Sequence, residues 1–222
     1  MSNSKAIIDY EKQLKEEAAH LKETLSAPSS NKISTKGKLF TLPDGSTNNG
    51  PLECVILDYL SYNSWYPGAY DPQNLSAPSC WAIGRVVADL APSEHAPDKQ
   101  GTTCDENGDC PQAKWNSAAV GKGKACKNIR RLIIVPPGAN ADTEPMTLEV
   151  SPGAIRAFDA YVTKVNQQYG SLPIRVVTSI GFDANKTYPS LTFSNPQPHD
   201  NLELMMALRQ RGQDTLHKEP IS

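Results

Sequence analysis

No stretch of this chain is apolar for long enough to cross a bilayer, and no apolar signal-like core follows Met1-Ser-Asn-Ser-Lys5. The expected setting is therefore a reducing cytosol, where disulfides are rare, and no membrane partner is expected. A charge excess of one sign is also missing: 22 Lys and Arg stand against 24 Asp and Glu, for a formal net charge of −2. A dedicated nucleic-acid binder often carries a basic excess, so only local segregation of charge can support such a role. Histidine is scarce. His20, His95, His199 and His217 are scattered, with none beside a plausible nucleophile, and the acids form no acid–base or two-metal pattern, so no enzyme is expected. The Gly121-Lys-Gly-Lys124 run lacks the glycine spacing and the Ser or Thr of a P-loop. No internal repeat is present. Proline is abundant, at 18 residues, which favours loops over long helices. The length of 222 residues fits one domain with appendages.

Against these absences stands one dense stretch, Cys80 to Cys126, which holds four of the five cysteines and two of the three tryptophans. It has little helical or strand periodicity, and so long a loop inside a compact domain needs a staple. Three readings of Cys80, Cys104, Cys110 and Cys126 are open: a tetrahedral metal site, two disulfides, or unlinked buried thiols. The compartment and the Gly- and Pro-rich surroundings favour the metal. Four thiolates would make it structural, with zinc the simplest ion and an iron–sulfur cluster the other thiolate option. His95 lies close enough in sequence to replace one thiolate. Charge is segregated about the cysteines. Asp89, Glu94, Asp98, Asp105, Glu106 and Asp109 come first; Lys114, Lys122, Lys124, Lys127, Arg130 and Arg131 follow, with no acid until Asp142. This cationic run reads either as a phosphate-contacting surface or as a solvated basic loop.

Along the chain, 6–25 reads as an amphipathic helix with Ile7, Leu14, Ala18, Leu21 and Leu25 on one stripe, suited to packing on its own domain or on another copy or partner. Residues 32–42 and 52–62 read as an antiparallel strand pair, with Cys54 a buried small hydrophobe. An aromatic-rich segment follows. Trp65, Tyr66 and Tyr70, in a Gly/Pro loop, are the candidates to stack unpaired bases, with Trp115 a further one. Residues 130–135 and 146–150 read as strands, and 152–169 as a helix with Pro152 first and Ile155, Phe158, Val162 and Val165 inward. Residues 174–182 and 188–193 form a second strand pair, and 201–216 an amphipathic helix. The fold class expected is α+β: a mainly antiparallel sheet or a small five-stranded barrel of the oligonucleotide-binding type, with a metal-stapled cysteine loop and flanking helices. Its parts would be an N-terminal helix and linker over 1–31, a β-rich core over 32–195 and a C-terminal helix and tail over 196–222.

Several segments resemble a family of tailed-bacteriophage proteins: Ile33-Ser-Thr-Lys-Gly-Lys38, Leu52-Glu-Cys-Val-Ile-Leu-Asp58, Tyr66-Pro-Gly-Ala-Tyr-Asp-Pro72, Cys80-Trp-Ala-Ile-Gly84, Cys110-Pro-Gln-Ala-Lys-Trp-Asn-Ser117 and Gly121 to Arg131. Val150-Ser-Pro152 and 180–193 fit as well. The resemblance covers most of the chain. The family's usual pattern has a tighter Cys-x-x-Cys-Pro where this chain spaces Cys104 and Cys110 more widely. Some members are labelled single-stranded DNA-binding proteins. The resemblance thus implies a phage protein in the host cytoplasm that binds single-stranded DNA for replication or recombination. A virion or assembly component, joined to itself or to other phage proteins through its terminal helices, is the alternative.

Overall fold

The computed structural model describes residues 31–68 and 76–220. The expected helix over 6–25, and Tyr70, lie outside them. Lys32–Ser222 forms one compact unit.

The chain first makes a small hairpin of β1 (Phe40–Thr41) and β2 (Thr47–Asn48), turned at Gly45 with φ +84° and tied by Asp44, whose carboxylate accepts from the Ser46 amide and hydroxyl. It then enters β3 (Leu52–Trp65), the long strand about which the sheet is assembled. The remaining elements are β4 (Cys80–Gly84), β5 (Lys127–Val135), β6 (Met146–Val150), α1 (Ile155–Tyr169), β7 (Val176–Phe182), β8 (Leu191–Pro198), α2 (Leu202–Arg211) and α3 (Gln213–Leu216). The six-stranded sheet runs β6-β5-β3-β7-β8, with β4 also on β3, and every ladder is antiparallel. One edge of β3 pairs with β5 over 55–64. The other edge is shared: β7 takes 52–55 and β4 takes 61–65.

Apolar residues at both parities of β3 explain this. Leu52, Cys54 and Ile56 join one cluster with Leu132, Ile134 and Leu148 beneath Phe158, Tyr161 and Val165 of α1. Val55, Leu57 and Leu60 join a second with Ile133 and Val135 beneath Met205 and Leu208 of α2 and Leu216 of α3. A strand covered on both faces reads as a near-continuous apolar run. Burying each such side chain stabilises by roughly 1.5–3 kcal/mol. Helix α1 follows a Pro152 turn and stops at Gly170, whose left-handed φ of 60° lets its amide reach the Asn166 carbonyl.

The expected barrel does not form: among the described residues the sheet stays open, with β6 and β8 at its margins. A barrel has one interior, whereas β3 needs covers on two faces and receives a helix on each. The expected pairing of 32–42 with 52–62 is also replaced. Lys32 and Ser34 make isolated bridges, Ile33 donates to the Thr147 carbonyl at the β6 margin, and β3 pairs elsewhere. The 176–182 and 191–198 strands do pair. The expected helix over 201–216 divides at Gly212, which packs closely on β5: a Cβ there would stand 2.8 Å from the terminal methyl of Ile133, which would have to shift.

Midway along β3 the register shifts between Ile56 and Asp58, in the gap between β7 and β4. Asp58 turns into that gap. It accepts both Arg85 Nη atoms at 2.8 and 2.7 Å, Arg209 Nε at 2.9 Å and the Tyr59 amide at 2.8 Å, with Gln213 Nε2 at 3.2 Å. Burial opposes its ionisation, but these donors win and hold the carboxyl well below its usual range. Among the described residues no helix is long and apolar enough to cross a membrane.

Candidate nucleic-acid interface

The far end of β3 gathers the cysteines. In the β3–β4 ladder Cys80 stands opposite Trp65, and Cys126 directly precedes Lys127, which stands opposite Ser64 in the β3–β5 ladder. The two thiols therefore flank one strand end. Cys104 is held by its amide on the Leu90 carbonyl at 2.7 Å and by its own carbonyl facing Asn63 Nδ2 at 3.5 Å. Cys110 opens a 3-10 turn, Pro111–Ala113, and the Cys126 amide donates to Gln112 of that turn. Gly101 fits only without a side chain, since a Cβ would lie 2.7 Å from Cys110 Cα.

All four thiols are free and buried. Burial pushes up the pKa of Cys80, Cys104 and Cys126, the last two to about 12. Cys110 adds to the rise at all three, Cys80 to that at Cys104 and Cys126, and Cys104 to that at Cys126. The four thiols thus lie close enough for their charges to act on one another. They are gathered without being a formed ligand set: among the described residues no group of three or more His, Cys, Asp or Glu side chains is arranged to hold a metal ion. Cys54 sits apart in the α1-side core, where burial pushes its thiol far up. His95 is directed elsewhere, with Nδ1 2.7 Å from Glu219 Oε2.

The loop between Cys104 and Cys110 is braced by its own polar groups. Asp109 accepts from the Thr103 and Thr102 amides and the Thr102 hydroxyl, which bring its carboxyl down to about 2. Lys114 Nζ donates to the carbonyls of Glu106 and Gly108. Lys114, expected from the sequence as a phosphate contact, thus braces this loop, and it does not line the groove that opens beside it.

Beside this loop opens a groove of about 680 Å³ between the cysteine segment and the start of α1. It brings together four of the expected or related groups, Trp115, Lys124, Lys127 and Arg130, with Asn63, Asn128 and Arg156. Asp105, Glu106 and Asp159 line it too. Trp115 is 63% exposed, with Lys124 Nζ 5.1 Å from its ring centroid and Nε1 donating to Glu106 Oε2 at 2.9 Å. Lys124 Nζ contacts the same oxygen at 2.8 Å, and these donors hold the Glu106 carboxyl below its usual range. Arg130 donates to Ser61 Oγ and meets Asp159. Arg156 has no hydrogen-bond or ion-pair partner among the described residues.

The remaining expected residues do not converge here. Arg131 projects from the opposite sheet face, because neighbours on a strand alternate. It lies 4.2 Å over the Tyr62 ring and donates to the Leu216 and Lys218 carbonyls. Trp65 is half-buried against the α2-side core, and Tyr66, although 45% exposed, does not line the groove. Lys122 is exposed on the loop outside it. Sequence reasoning missed Asn63, Asn128 and Arg156. Asn63 had a signal: with Ser61 it is a polar residue at alternate positions of a strand that is largely apolar. No protein-family model, curated protein or solved structure matches the chain.

Proposed function

We propose that this chain is a phage single-stranded DNA-binding protein of replication or recombination, using the groove beside the cysteine loop. One observation carries the reading: an exposed indole shares a groove with Lys124, Lys127, Arg130 and Arg156. Trp115 would stack an unpaired base, for which the aromatic contribution is roughly 1–3 kcal/mol per base. The four cations would neutralise phosphates, while buried Asn63 and its partner Asn128 brace the groove floor between β3 and β5. A structural zinc on Cys80, Cys104, Cys110 and Cys126 is part of the proposal. Four soft, buried thiols on one loop-rich segment suit that ion chemically, and the side chains would have to move to complete the set.

The test is tryptophan fluorescence of the purified protein titrated with a single-stranded oligonucleotide at several salt concentrations. Saturable quenching is expected, weakening with salt at a log–log slope of up to about −3 if all four cations meet phosphates. Trp115→Ala should weaken binding about tenfold, the equivalent of one stacked base. No quenching at low salt overturns the reading and favours a virion or assembly role. Elemental analysis tests the zinc separately: about one ion per chain is expected, and protein that neither carries nor takes up metal with its thiols reduced rules it out.

A further inference from the structure

A single carboxylate oxygen joins two of the groove's lining residues. Glu106 Oε2 accepts from Lys124 Nζ at 2.8 Å and from Trp115 Nε1 at 2.9 Å, while Lys124 lies over the Trp115 ring. An anionic oxygen bridging an ammonium and an indole N–H is chemically what a phosphate oxygen would be at that point. We infer that Glu106 is a resident competitor for the phosphodiester that Lys124 would bind, so that an entering strand must displace a carboxylate of the protein itself; this rests on the nucleic-acid reading above.

The surroundings fit a displaceable group. The Glu106 side chain is 45% exposed, and exposed ion pairs hold their partners weakly. The Glu106 backbone is anchored independently, through its carbonyl to Lys114 Nζ at 2.9 Å, so the side chain can swing away while the loop stays braced. The contrast with Asp58 is instructive: that carboxylate is 4% exposed and held by two arginines, and it has no such freedom. The consequence is selectivity by valency. A small lone phosphate merely replaces one anion by another at Lys124 and gains little. A polymer that also stacks on Trp115 and reaches Lys127, Arg130 and Arg156 gains all of its other contacts at once.

The experiment compares the intact protein with Glu106→Gln, Lys124→Gln and the double variant, using a single-stranded oligothymidylate and the same fluorescence titration. Gln retains the size of Glu and an oxygen for Trp115 Nε1, so the indole stays in place. Glu106→Gln should bind about three- to fivefold tighter at low salt, the scale of an exposed ion pair. Its salt slope should be no shallower than that of the wild type, since Lys124 still meets a phosphate and no carboxylate is set free. The gain should vanish when Lys124 is already Gln. Wild-type binding with no gain in Glu106→Gln overturns the inference and leaves the DNA-binding reading intact. A gain that persists in the double variant also overturns it, because that marks general repulsion rather than competition for Lys124. Binding by neither the wild type nor Glu106→Gln overturns both.

Discussion

At its start β3 contributes Leu52, Cys54, Val55, Ile56 and Leu57, all buried; at its end it contributes Ser61, Asn63 and Ser64, equally buried but polar. The first end is covered by α1 on one face and by α2 and α3 on the other, through contacts that need volume and have little directional demand. At the second end each polar group needs a partner. Asn63 Oδ1 accepts from Asn128 Nδ2 at 2.8 Å, and Ser61 Oγ accepts from Arg130 at 2.9 Å. Leaving such a group unpaired costs about 1–3 kcal/mol, so this end is fixed by specific chemistry. Burial at one end makes the fold; burial at the other aims side chains into the groove. The comparison can be broken in three ways, in falling order of expected effect.

The largest effect belongs to the apolar end. Phe158 is fully buried and meets Tyr59 edge-on with ring centroids 4.9 Å apart and Phe193 at 5.1 Å. Phe158→Ala should destabilise by about 3–5 kcal/mol, read as a lower denaturation midpoint. The folded fraction should quench with oligonucleotide as the wild type does. A loss under about 1 kcal/mol would mean that the α1 face collapses around the gap, contrary to the close packing drawn here.

The junction between the ends comes next. Asp58→Asn leaves Arg85 and Arg209 without their carboxylate, and should cost about 3 kcal/mol at neutral pH. Because the folded pKa is depressed, the stabilisation is present above the ordinary carboxylate value of 3.8 and is lost as pH falls below it. Unfolding midpoints followed from pH 7 downward should therefore converge for wild type and variant in acid. Parallel curves would show that the arginines, not the charge of Asp58, set the junction.

How much of this was legible in the sequence follows the same division. The 52–62 run is near-continuously apolar and β-branched or aromatic in part, and the 152–169 helix carries apolar positions at helical spacing; such patterns report the element directly. Its partners are another matter. Nothing local in 32–42 says that Lys32 bridges the β6 margin while Phe40 and Thr41 pair with 47–48 and not with β3, because pairing is decided by which faces remain uncovered. The site shows the same limit. The burial of Cys80, Cys104, Cys110 and Cys126 within one loop-rich segment is not carried by any periodic pattern, and residue type and loop composition alone raised the question of a shared site. The brace made by Lys114 was not legible, because a lysine in a basic run reads the same whether its ammonium meets phosphate or two carbonyls. Asn63 and Arg156 were passed over for a related reason: each lies on an element read for its apolar residues, and its neighbours in the groove come from far along the chain.

The finest test uses two adjacent residues. Arg130 and Arg131 are indistinguishable by type, and strand alternation sends them to opposite faces. Arg130 reaches the groove and is 14% exposed along its side chain, bonded to Ser61 and Asp159. Arg131 lies over Tyr62 and ties down the carbonyls of Leu216 and Lys218. Arg131→Gln should therefore cost about 1–2 kcal/mol of stability by leaving those carbonyls unpaired, with oligonucleotide affinity unchanged. Arg130→Gln should reduce the salt slope by about 0.7 and weaken binding about three- to tenfold, with a smaller change in stability. Denaturation midpoints and salt-dependent titrations on the same two preparations give both readings. If both variants lose affinity equally, the cationic surface wraps the sheet and the groove is not the contact; if both lose only stability, the arginines are braces alike, and phosphate contact would rest on Lys124, Lys127 and Arg156.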